Sequence, residues 1–437
     1  MKLASVEIEN YRAIERLELE PDPALTVLFG TNGCGKTSVL SGIATGLGAI
    51  QSFFFPRKGI NFLKTDRRAN GEPVRIRLTP TGGLSWLREE TGRGFAKITE
   101  NKMTPWYELR RWLADVRSRH EKGETVDLPI IAFYDTDRVV FDAPRRRRGF
   151  AEEFDRFGAL EGALSARTDF RQFFQWFYAM ENAEFRASRS LRERGRDSGA
   201  GTRAVVPELH AVRSAIEAMV KGVTSPRIEE NPLRFVVSQE NESGELEELA
   251  LDQLSGGYRA VLTLAADLAR RMAQGNPHLE NPLKSEAVVL IDEIELHLHP
   301  EWQQRILGDL RRTFPNAQFI VSTHSPQVLT TVEPKHIMEL VDDEGRIVAR
   351  APASSTFGVE SGNVLSTVMG VDERPDNWYT TALNAYRRLV ASDQGESEEA
   401  LALRAKLEGE SPDDPALHRA DLEIRQRKMF RRMAESE

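Results

Sequence analysis

The sequence predicts an α/β fold with mixed sheets, a helical insertion and a helical C-terminal tail. Three observations support this prediction. A strand pattern over residues 15–29 runs into a glycine-rich loop, and a helical pattern follows from about Lys36. An uninterrupted apolar run at residues 287–291, within a strand predicted at 286–291, ends in two acidic residues, and such a run is typical of a strand buried on both faces. From about residue 352 onward the chain is charged and helical in pattern.

The other elements follow from the same periodicities. Alternation predicts a first strand over 2–8, and aromatic residues at helical spacing with a Gly-, Ser- and Arg-rich break predict a helical insertion. Strands are predicted at 129–134, 232–250 (as strand–turn–strand), 317–322, 335–341 and 345–349, and a helix at 256–273. The predicted organisation is an N-terminal lobe (1–140), the insertion (141–225), a C-terminal lobe (226–350) and the tail (351–437).

Composition limits the class of protein. At 437 residues the chain has room for two or three domains, or for one large head with an insertion. A net charge of -8 argues against a chain that coats nucleic acid over its whole surface, although a local basic face remains compatible with it. The single cysteine excludes an internal disulfide and indicates a reducing compartment. The chain shows no signal peptide and no run of about 18 apolar residues. We therefore expect a soluble, cytoplasmic protein with no membrane partner.

A phosphate-binding loop is the first chemical motif. The pattern G-x-x-x-x-G-K-[ST] is completed by Lys36 and Thr37. Its glycines allow backbone N–H groups to surround phosphate oxygens, while Lys36 supplies a cation and Thr37 a hydroxyl for Mg²⁺. A plain glycine turn is the alternative, and the strand–loop–helix context argues against it. The motif predicts ATP and Mg²⁺ as ligands, with the binding residues Gly30, Thr31, Asn32, Gly33, Cys34, Gly35, Lys36, Thr37 and Ser38.

The acidic strand supplies the second motif. Asp292 at the end of the apolar run is placed to hold Mg²⁺ or its water shell, together with Thr37. Glu293 is then the candidate catalytic base that orients or deprotonates the attacking water. Any buried strand can end in acidic residues, so this motif indicates a catalytic site only in combination with the phosphate loop.

A third motif opens the helix predicted at 256–273. Ser255, Gly256 and Gly257 place a hydroxyl and bare backbone N–H groups at a helix N-terminus, which is an anion-binding arrangement. An ordinary helix cap would have the same residues.

The succession of these motifs resembles the ABC ATPases, in which the LSGG signature precedes the acidic Walker B strand. This resemblance implies that Ser255 and Gly257 act on the nucleotide of a partner subunit in a homodimer. It also identifies His324, at the end of the 317–322 strand, as the switch histidine that contacts the γ-phosphate. The implied catalytic residues are Lys36, Glu293 and His324. A lone histidine at a strand end is otherwise more often structural.

A narrower resemblance is to the SMC, RecF and OLD group of ABC ATPases. The run from Glu293 to Pro300 resembles their D-loop region, and the opening strand with Arg12 resembles their N-terminus, where an arginine often reaches the nucleotide phosphates. His297 and His299 alternatively suggest a metal pair, but no neighbouring ligands complete a set. The chain departs from the pattern at Asp135, which stands where the Q-loop glutamine is expected.

The chain also resembles the Septu defence ATPases, called PtuA, which work with a separate HNH nuclease. This resemblance implies a regulatory ATPase in an anti-phage complex, with a nuclease partner and possible higher oligomers. A RecF-like repair ATPase is the alternative, and a transporter subunit agrees least with the SMC-like opening. After His324 the sequence holds no Asp-x-Asp of a Toprim nuclease, so we expect cleavage to come from the partner.

Two regions outside the ATP motifs carry further hypotheses. Arg145–Arg148 and the arginines 192, 194, 196 and 203 predict a basic face for DNA, or else a solvated charge run. Apolar stripes in the tail predict a helical hairpin that docks a partner, or else packs on the chain's own head. The stripe residues are Trp378, Leu383, Ala385, Tyr386, Leu389, Leu401, Leu403 and Leu407.

Overall fold

A computed structural model describes most of the chain. The described residues are 1–56, 60–68, 71–90, 105–138, 150–151, 153–165, 170–193, 204–241, 243–372 and 374–435, with the backbone alone at 105, 138, 192 and 431–435. They form two compact units, Met1–Val364 and Leu365–Glu437. We call these units the head and the tail. No helix in the described ranges has both the length and the apolar content to cross a membrane.

Helices and strands alternate through the head, and the tail is helical. The strands are β1 Leu3–Tyr11, β2 Ile14–Leu19, β3 Leu25–Phe29, β4 Val74–Pro80, β5 Trp86–Glu90, β6 Ile130–Tyr134, β7 Val223–Glu230, β8 Leu233–Glu240, β9 Leu246–Ala250, β10 Ala287–Ile291, β11 Ala317–Ser322, β12 Ile337–Asp343 and β13 Arg346–Arg350. The helices are α1 Lys36–Phe54, α2 Pro105–Glu121, α3 Phe170–Glu193, α4 Pro207–Met219, α5 Gly256–Gly275, α6 Pro300–Thr313, α7 Pro326–Leu329, α8 Ser361–Thr367, α9 Trp378–Ala391, α10 Glu398–Glu410 and α11 Pro415–Glu435.

The central sheet has the order β13-β12-β3-β11-β10-β6 among the described strands. All pairs from β12 to β6 are parallel, and β13 joins antiparallel. Every residue of β3, β6, β10 and β11 is buried, which accounts for the continuous apolar runs of β6 and β10. Because parallel strands end at a common edge, the loops that follow β3, β11, β10 and β6 are brought together.

One strand prediction is corrected. Residues 15–29, expected as a single strand, form β2 and β3 with a turn between them. Pro21 and Pro23 remove backbone donors that a continuous strand would need. The Asp22 carboxylate accepts from the backbone N–H groups of Ala24 at 2.8 Å and Leu25 at 3.1 Å, which closes the turn.

Two antiparallel sheets complete the strands of the head, with the orders β2-β1-β4-β5 and β7-β8-β9. Helix α1 lies close to the first of them. A Cβ at Gly46 would be 2.6 Å from Leu78 Cδ1, and the indole of Trp86 donates to the Gly46 carbonyl at 3.0 Å. This close packing orients the helix that begins in the phosphate loop.

The described part of the insertion is helical, with α3 and α4 inside the predicted range. Phe173 and Phe177 of α3 are fully buried. Their ring centroids lie 5.6 and 5.3 Å from that of Phe235 on β8. The insertion ends in β7, which begins at Val223. Arg145–Arg148 and arginines 194, 196 and 203 lie outside the described residues, and the basic-face hypothesis stays a prediction.

The tail has a core of its own. Three successive helices, α9, α10 and α11, contribute its buried side chains, which are Leu383, Tyr386, Val390, Ala400, Leu407, Leu417 and Ala420. The expected hairpin is therefore a bundle with a third helix, and its stripes pack on one another. Trp378 and Leu401 are corrections to the predicted stripes, because they are 48% and 56% exposed.

Candidate functional site

The carboxyl edge of the central sheet gathers the predicted motifs. The phosphate loop follows β3, His324 follows β11, and Asp292 and Glu293 follow β10. Strands β3, β11 and β10 are direct neighbours, in register at Val321 with Val27 and Ile291. Residues that are far apart in the chain thus meet at one place.

The glycines of the phosphate loop are required by space and by backbone conformation. Gly30 has φ +149°, and a Cβ there would lie 2.3 Å from the backbone oxygen of Leu340. Gly35 has φ +93°, and a Cβ there would lie 2.6 Å from Ile347 Cδ1. A side chain at Gly30 would collide with backbone and displace the loop, whereas one at Gly35 would strain the left-handed backbone and push Ile347 aside, so both positions favour glycine.

Lys36 lies inside the loop that it is expected to serve. Its ammonium donates to the carbonyls of Gly30 at 2.9 Å and Thr31 at 3.0 Å and lies 3.6 Å from Cys34 Sγ. The side chain is only 6% exposed. A cation is therefore held at the centre of the loop by backbone oxygens of the loop itself.

Thr37 and Asp292 are joined across 255 residues of sequence. The Thr37 hydroxyl donates to Asp292 Oδ2 at 2.7 Å, and the Ser322 hydroxyl donates to Asp292 Oδ1. Asp292 is 1% exposed, and its backbone N–H donates to the Tyr134 carbonyl at 2.8 Å. The sequence placed Thr37 and Asp292 together as metal ligands, and the structure brings these two side chains into contact.

Glu293 and His324 follow neighbouring strands, Glu293 after β10 and His324 after β11. Glu293 adopts φ +45°, a left-handed conformation that is uncommon outside glycine, and its N–H donates to Ser322 Oγ at 2.8 Å. Such strain is concentrated at functional sites. The His324 N–H donates to the carboxylate of Glu295. Both residues are half-buried.

The signature motif lies at the start of α5. Ser255 caps this helix by accepting from the Tyr258 N–H at 3.4 Å, as an ordinary cap would. A Cβ at Gly257 would lie 3.0 Å from the carbonyl of His297, so the signature turn packs against the D-loop region of the same chain. Ser255 is exposed, which leaves its hydroxyl open to the surface of the head.

A buried polar network ties the signature helix to the sheet edge. Asp267 of α5 accepts from Tyr134 Oη at 3.0 Å, from Arg270 at 2.9 Å and from Arg271 at 2.7 Å. Burial alone would raise the pKa of Asp267, but Arg271 and Arg270 outweigh it and lower the pKa to about 2. Burial, with Asp267 beside it, raises the pKa of Tyr134 well above its usual value. Tyr134 directly precedes Asp135, the residue at the expected Q-loop position.

Sequence reasoning missed three side chains of this edge: Ser322, Thr323 and Glu295. Ser322 contacts both Asp292 and the backbone of Glu293, while Thr323 donates to Glu295 at 2.7 Å. The only signal in the sequence was the position of these polar residues at strand ends, next to recognised motifs. Their partners become evident only once the order of the strands is known.

Arg12 and the two D-loop histidines are placed as follows. Arg12 Nε donates to Asp66 at 2.9 Å, and its Nη1 lies 3.4 Å from Ser41 Oγ, one helical turn after Thr37. His297 and His299 are exposed. Within the described ranges, no group of three or more His, Cys, Asp or Glu side chains is arranged to hold a metal ion.

The residues at the sheet edge fit ATP and Mg²⁺. The loop has glycines where a Cβ would collide, and a buried ammonium lies within it. One hydroxyl and one carboxylate, from Thr37 and Asp292, make a small set of hard oxygen donors. Mg²⁺ commonly binds through one or two protein oxygens plus substrate phosphates and water, so these donors suit it.

Comparison with known proteins identifies the family. Residues 25–330 match the family described as "AAA domain, putative AbiEii toxin, Type IV TA system". The chain is 30% identical to the "Retron Ec83 probable ATPase" of Escherichia coli over 98% of this chain and 87% of that protein. It is 35% identical to the "Septu protein PtuA" of Bacillus mycoides (strain KBAB4) over 29% of this chain and 18% of that protein.

Among solved structures, a crystal structure of an Smc head bound to the C-winged helix domain of ScpA is 14% identical. That match covers 80% of this chain and 98% of the other, with a TM-score of 0.42.

The phosphate loop, the acidic strand and the family match define an ATPase. The chain belongs to the AAA-domain family and is an ABC-type ATPase of the SMC, RecF and OLD group, related to retron ATPases and PtuA.

Proposed function

We propose that this protein is a switch ATPase that binds ATP between two copies of the chain and regulates a separate nuclease in an anti-phage defence complex. The observation that carries the proposal is the contact between Thr37 and Asp292, because it joins the phosphate loop to the acidic strand. Glu293 directly follows Asp292, and His324 follows β11, the strand between β3 and β10.

Each residue at the edge has a role in this proposal. Lys36 and the loop N–H groups bind the β- and γ-phosphates, and Asp292 and Thr37 hold Mg²⁺. When bound, Mg²⁺ neutralises charge on the phosphates. Glu293 orients the attacking water and accepts its proton, while His324 contacts the γ-phosphate.

The partner subunit supplies the anion site. Ser255, Gly256 and Gly257 lie at the exposed N-terminus of a helix of 20 residues, where N–H groups and the helix dipole favour a phosphate. In a homodimer, this turn of one subunit covers the ATP on the phosphate loop of the other. ATP thereby becomes part of the interface, and hydrolysis separates the subunits.

The relatives support the choice of process. One is named as a retron ATPase and is matched along almost the whole chain, and another is named as a Septu protein. We infer that this chain also acts in anti-phage defence, and that it controls a nuclease of the HNH type that another chain provides. Direct contact with DNA is compatible with this role.

Mixed dimers test the shared site. Lys36→Ala removes the phosphate cation, and Ser255→Arg fills the signature turn, so each variant alone should lose nearly all ATPase activity. A heterodimer of the two has one composite site free of both changes, and the mixture should regain part of the activity. The control is a mixture of Lys36→Ala with the surface variant Glu301→Ala, whose phosphate loop and signature turn are unchanged.

In that control mixture every heterodimer also keeps one intact site and every Glu301→Ala homodimer keeps two, so activity should rise with the share of Glu301→Ala subunits. If heterodimers of Lys36→Ala and Ser255→Arg form but hydrolyse no ATP above the single variants, the shared site is wrong.

A further inference from the structure

The segment after the acidic strand, residues 293–299, makes two tight turns against the end of β11. The Ile294 N–H donates to the Ser322 carbonyl at 3.0 Å, and the Leu296 N–H donates to the Glu293 carbonyl at 2.9 Å. The Leu298 N–H then donates to the Glu295 carbonyl at 2.9 Å. Ile294 is 2% exposed and anchors the segment in the core. The backbone geometry thus directs one side chain, Glu295, toward the residues that follow β11.

The Glu295 carboxylate holds the residues that carry the switch histidine. Its Oε2 accepts from the Thr323 hydroxyl at 2.7 Å, and its Oε1 accepts from the backbone N–H of His324. Thr323 is fully buried, and its hydroxyl also accepts from the Ser325 N–H at 3.0 Å. Both carboxylate oxygens are therefore used on two consecutive residues. Hydrogen bonds to a charged acceptor are stronger and more directional than neutral ones.

The other side of the same segment touches the signature turn. The His297 carbonyl lies where a Cβ at Gly257 would be 3.0 Å away, and His297 adopts φ +65°. The ring of Tyr258 lies 4.8 Å from that of Trp302 on α6. Residues 295–298 consequently contact the switch histidine at one end and the signature turn at the other.

We propose that Glu295 is a positioning residue for ATP hydrolysis, which sets the place of His324 through the Thr323 hydroxyl and the His324 N–H. This proposal rests on the proposed function, because it takes His324 as the contact to the γ-phosphate. In a shared site, His324 serves the ATP on its own phosphate loop, and Gly257 serves the ATP of the partner. Glu295 then links the state of one site to the state of the other.

Substitutions at Glu295 separate position from charge. Glu295→Ala removes both acceptors, and Glu295→Asp is one methylene shorter, so each should lower kcat about 10- to 100-fold, as a misplaced catalytic group does. Glu295→Gln can accept from the His324 N–H and donate to Thr323 Oγ, so it should keep kcat within about threefold. KM for ATP should change less than about threefold in all three variants, because phosphate binding by Lys36 is intact.

A double-mutant comparison shows whether Glu295 acts through the histidine. If it does, Glu295→Ala combined with His324→Ala should be no slower than His324→Ala alone. The imidazole resonances of His324 in NMR spectra should shift in Glu295→Ala and stay in place in Glu295→Gln. The matched control is Glu301→Ala, an exposed carboxylate in the first turn of α6, which should leave kcat and these resonances unchanged. Thermal melting of each variant checks folding.

The outcomes separate two failures. If His324→Ala lowers kcat but Glu295→Ala does not, or if their effects multiply, Glu295 is not the positioning residue. A Glu295→Gln variant as slow as Glu295→Ala would also overturn the proposal, because turnover would then depend on the negative charge of Glu295 and not on the position that its hydrogen bonds give to His324. If His324→Ala leaves kcat unchanged, the proposed role of His324 fails, and the role of Glu295 fails with it.

Discussion

In the head, the Thr37 hydroxyl meets an aspartate 255 positions away, whereas in the tail the buried side chains come from three consecutive helices. The first arrangement depends on the order of parallel strands, and the second on local helix packing. The contrast teaches which changes the molecule tolerates. At the carboxyl edge of the central sheet, removing one hydrogen-bonding group should affect ATP chemistry even when that group lies far along the chain from the phosphate loop. The stability of the tail should depend mainly on the packing of its own helices.

The largest expected effect is at the buried network of the head. Asp267→Ala leaves Arg270 and Arg271 buried without their carboxylate, and should destabilise the head by about 3–5 kcal/mol. Differential scanning calorimetry measures the loss, and Asp252→Ala, an exposed aspartate before the signature, is the control. Equal melting of the two variants would show that this network does not support the head.

Substitutions of two glycines, one in the head and one in the tail, are expected to have the next largest effects. Gly30→Ala places a Cβ 2.3 Å from the Leu340 oxygen, so the loop must shift, and ATP affinity should fall at least about tenfold, or about 1.4 kcal/mol. In the tail, Gly409 lies in α10 with open space around its Cβ position, and Gly409→Ala should stabilise the helix by about 0.5–1 kcal/mol. Titration with a fluorescent ATP analogue and thermal melting test these values. A Gly30→Ala protein with normal affinity would contradict the geometry of the loop.

Acid should weaken the tail through one aspartate. Arg374 donates two hydrogen bonds of 2.7 Å to Asp414, and with Tyr379 at 2.8 Å it holds the pKa of Asp414 well below its usual range. Because the folded pKa is lowered, the stabilisation is present above the unfolded pKa, near 3.9, and is lost as the pH falls below it. Thermal melting between pH 6 and 3 should show the beginning of this loss, which continues at lower pH as the folded pKa of Asp414 is approached. Asp414→Asn should lower stability at pH 6 and make the remaining dependence on pH shallower.

The smallest effect is expected when the tail is removed. A truncation before residue 394 would pass through the tail core and separate Leu383 and Tyr386 from Ala400 and Leu407. Such a truncation would expose apolar surface whether or not the tail docks a partner. A stop after Gly370 keeps α8 and removes the whole bundle. We expect ATP turnover within about threefold of the full chain, with loss of nuclease co-purification if the tail is the docking element.

A steady-state ATPase assay and affinity co-purification read the two functions separately. A tenfold loss of turnover after the Gly370 stop would show that ATP turnover by the head also depends on the tail.

Much of the ATP edge could be predicted because its motifs are local in sequence. Gly30–Thr37 carries its chemistry in eight consecutive residues, and Asp292 and Glu293 follow an apolar strand. Glu295 and Ser322 could not be assigned, because their hydrogen bonds depend on β10 and β11 being neighbours. No local pattern reports which strands will pair.

The tail shows the opposite limit. The chain was expected to be helical from about residue 352 onward, and apolar stripes predicted a hairpin of two packed helices. They did not predict that α11 packs as a third helix, because Leu417, Ala420 and Ile424 are few among charged residues. The tail core includes Leu383, Tyr386 and Leu407, whereas Trp378 is exposed. Apolar spacing thus predicted helices but not which side of each would be covered.

The central claim is that ATP joins two copies of the chain through the phosphate loop of one and the signature turn of the other. The Glu293→Gln protein should bind ATP without hydrolysing it, and it should therefore accumulate as a dimer. Light scattering after size-exclusion chromatography with ATP and Mg²⁺ should then give twice the chain mass of 49.3 kDa. Adding Ser255→Arg to Glu293→Gln should return the monomer. A Glu293→Gln protein that binds ATP and stays monomeric, or one that still turns ATP over at the wild-type rate, would contradict the account.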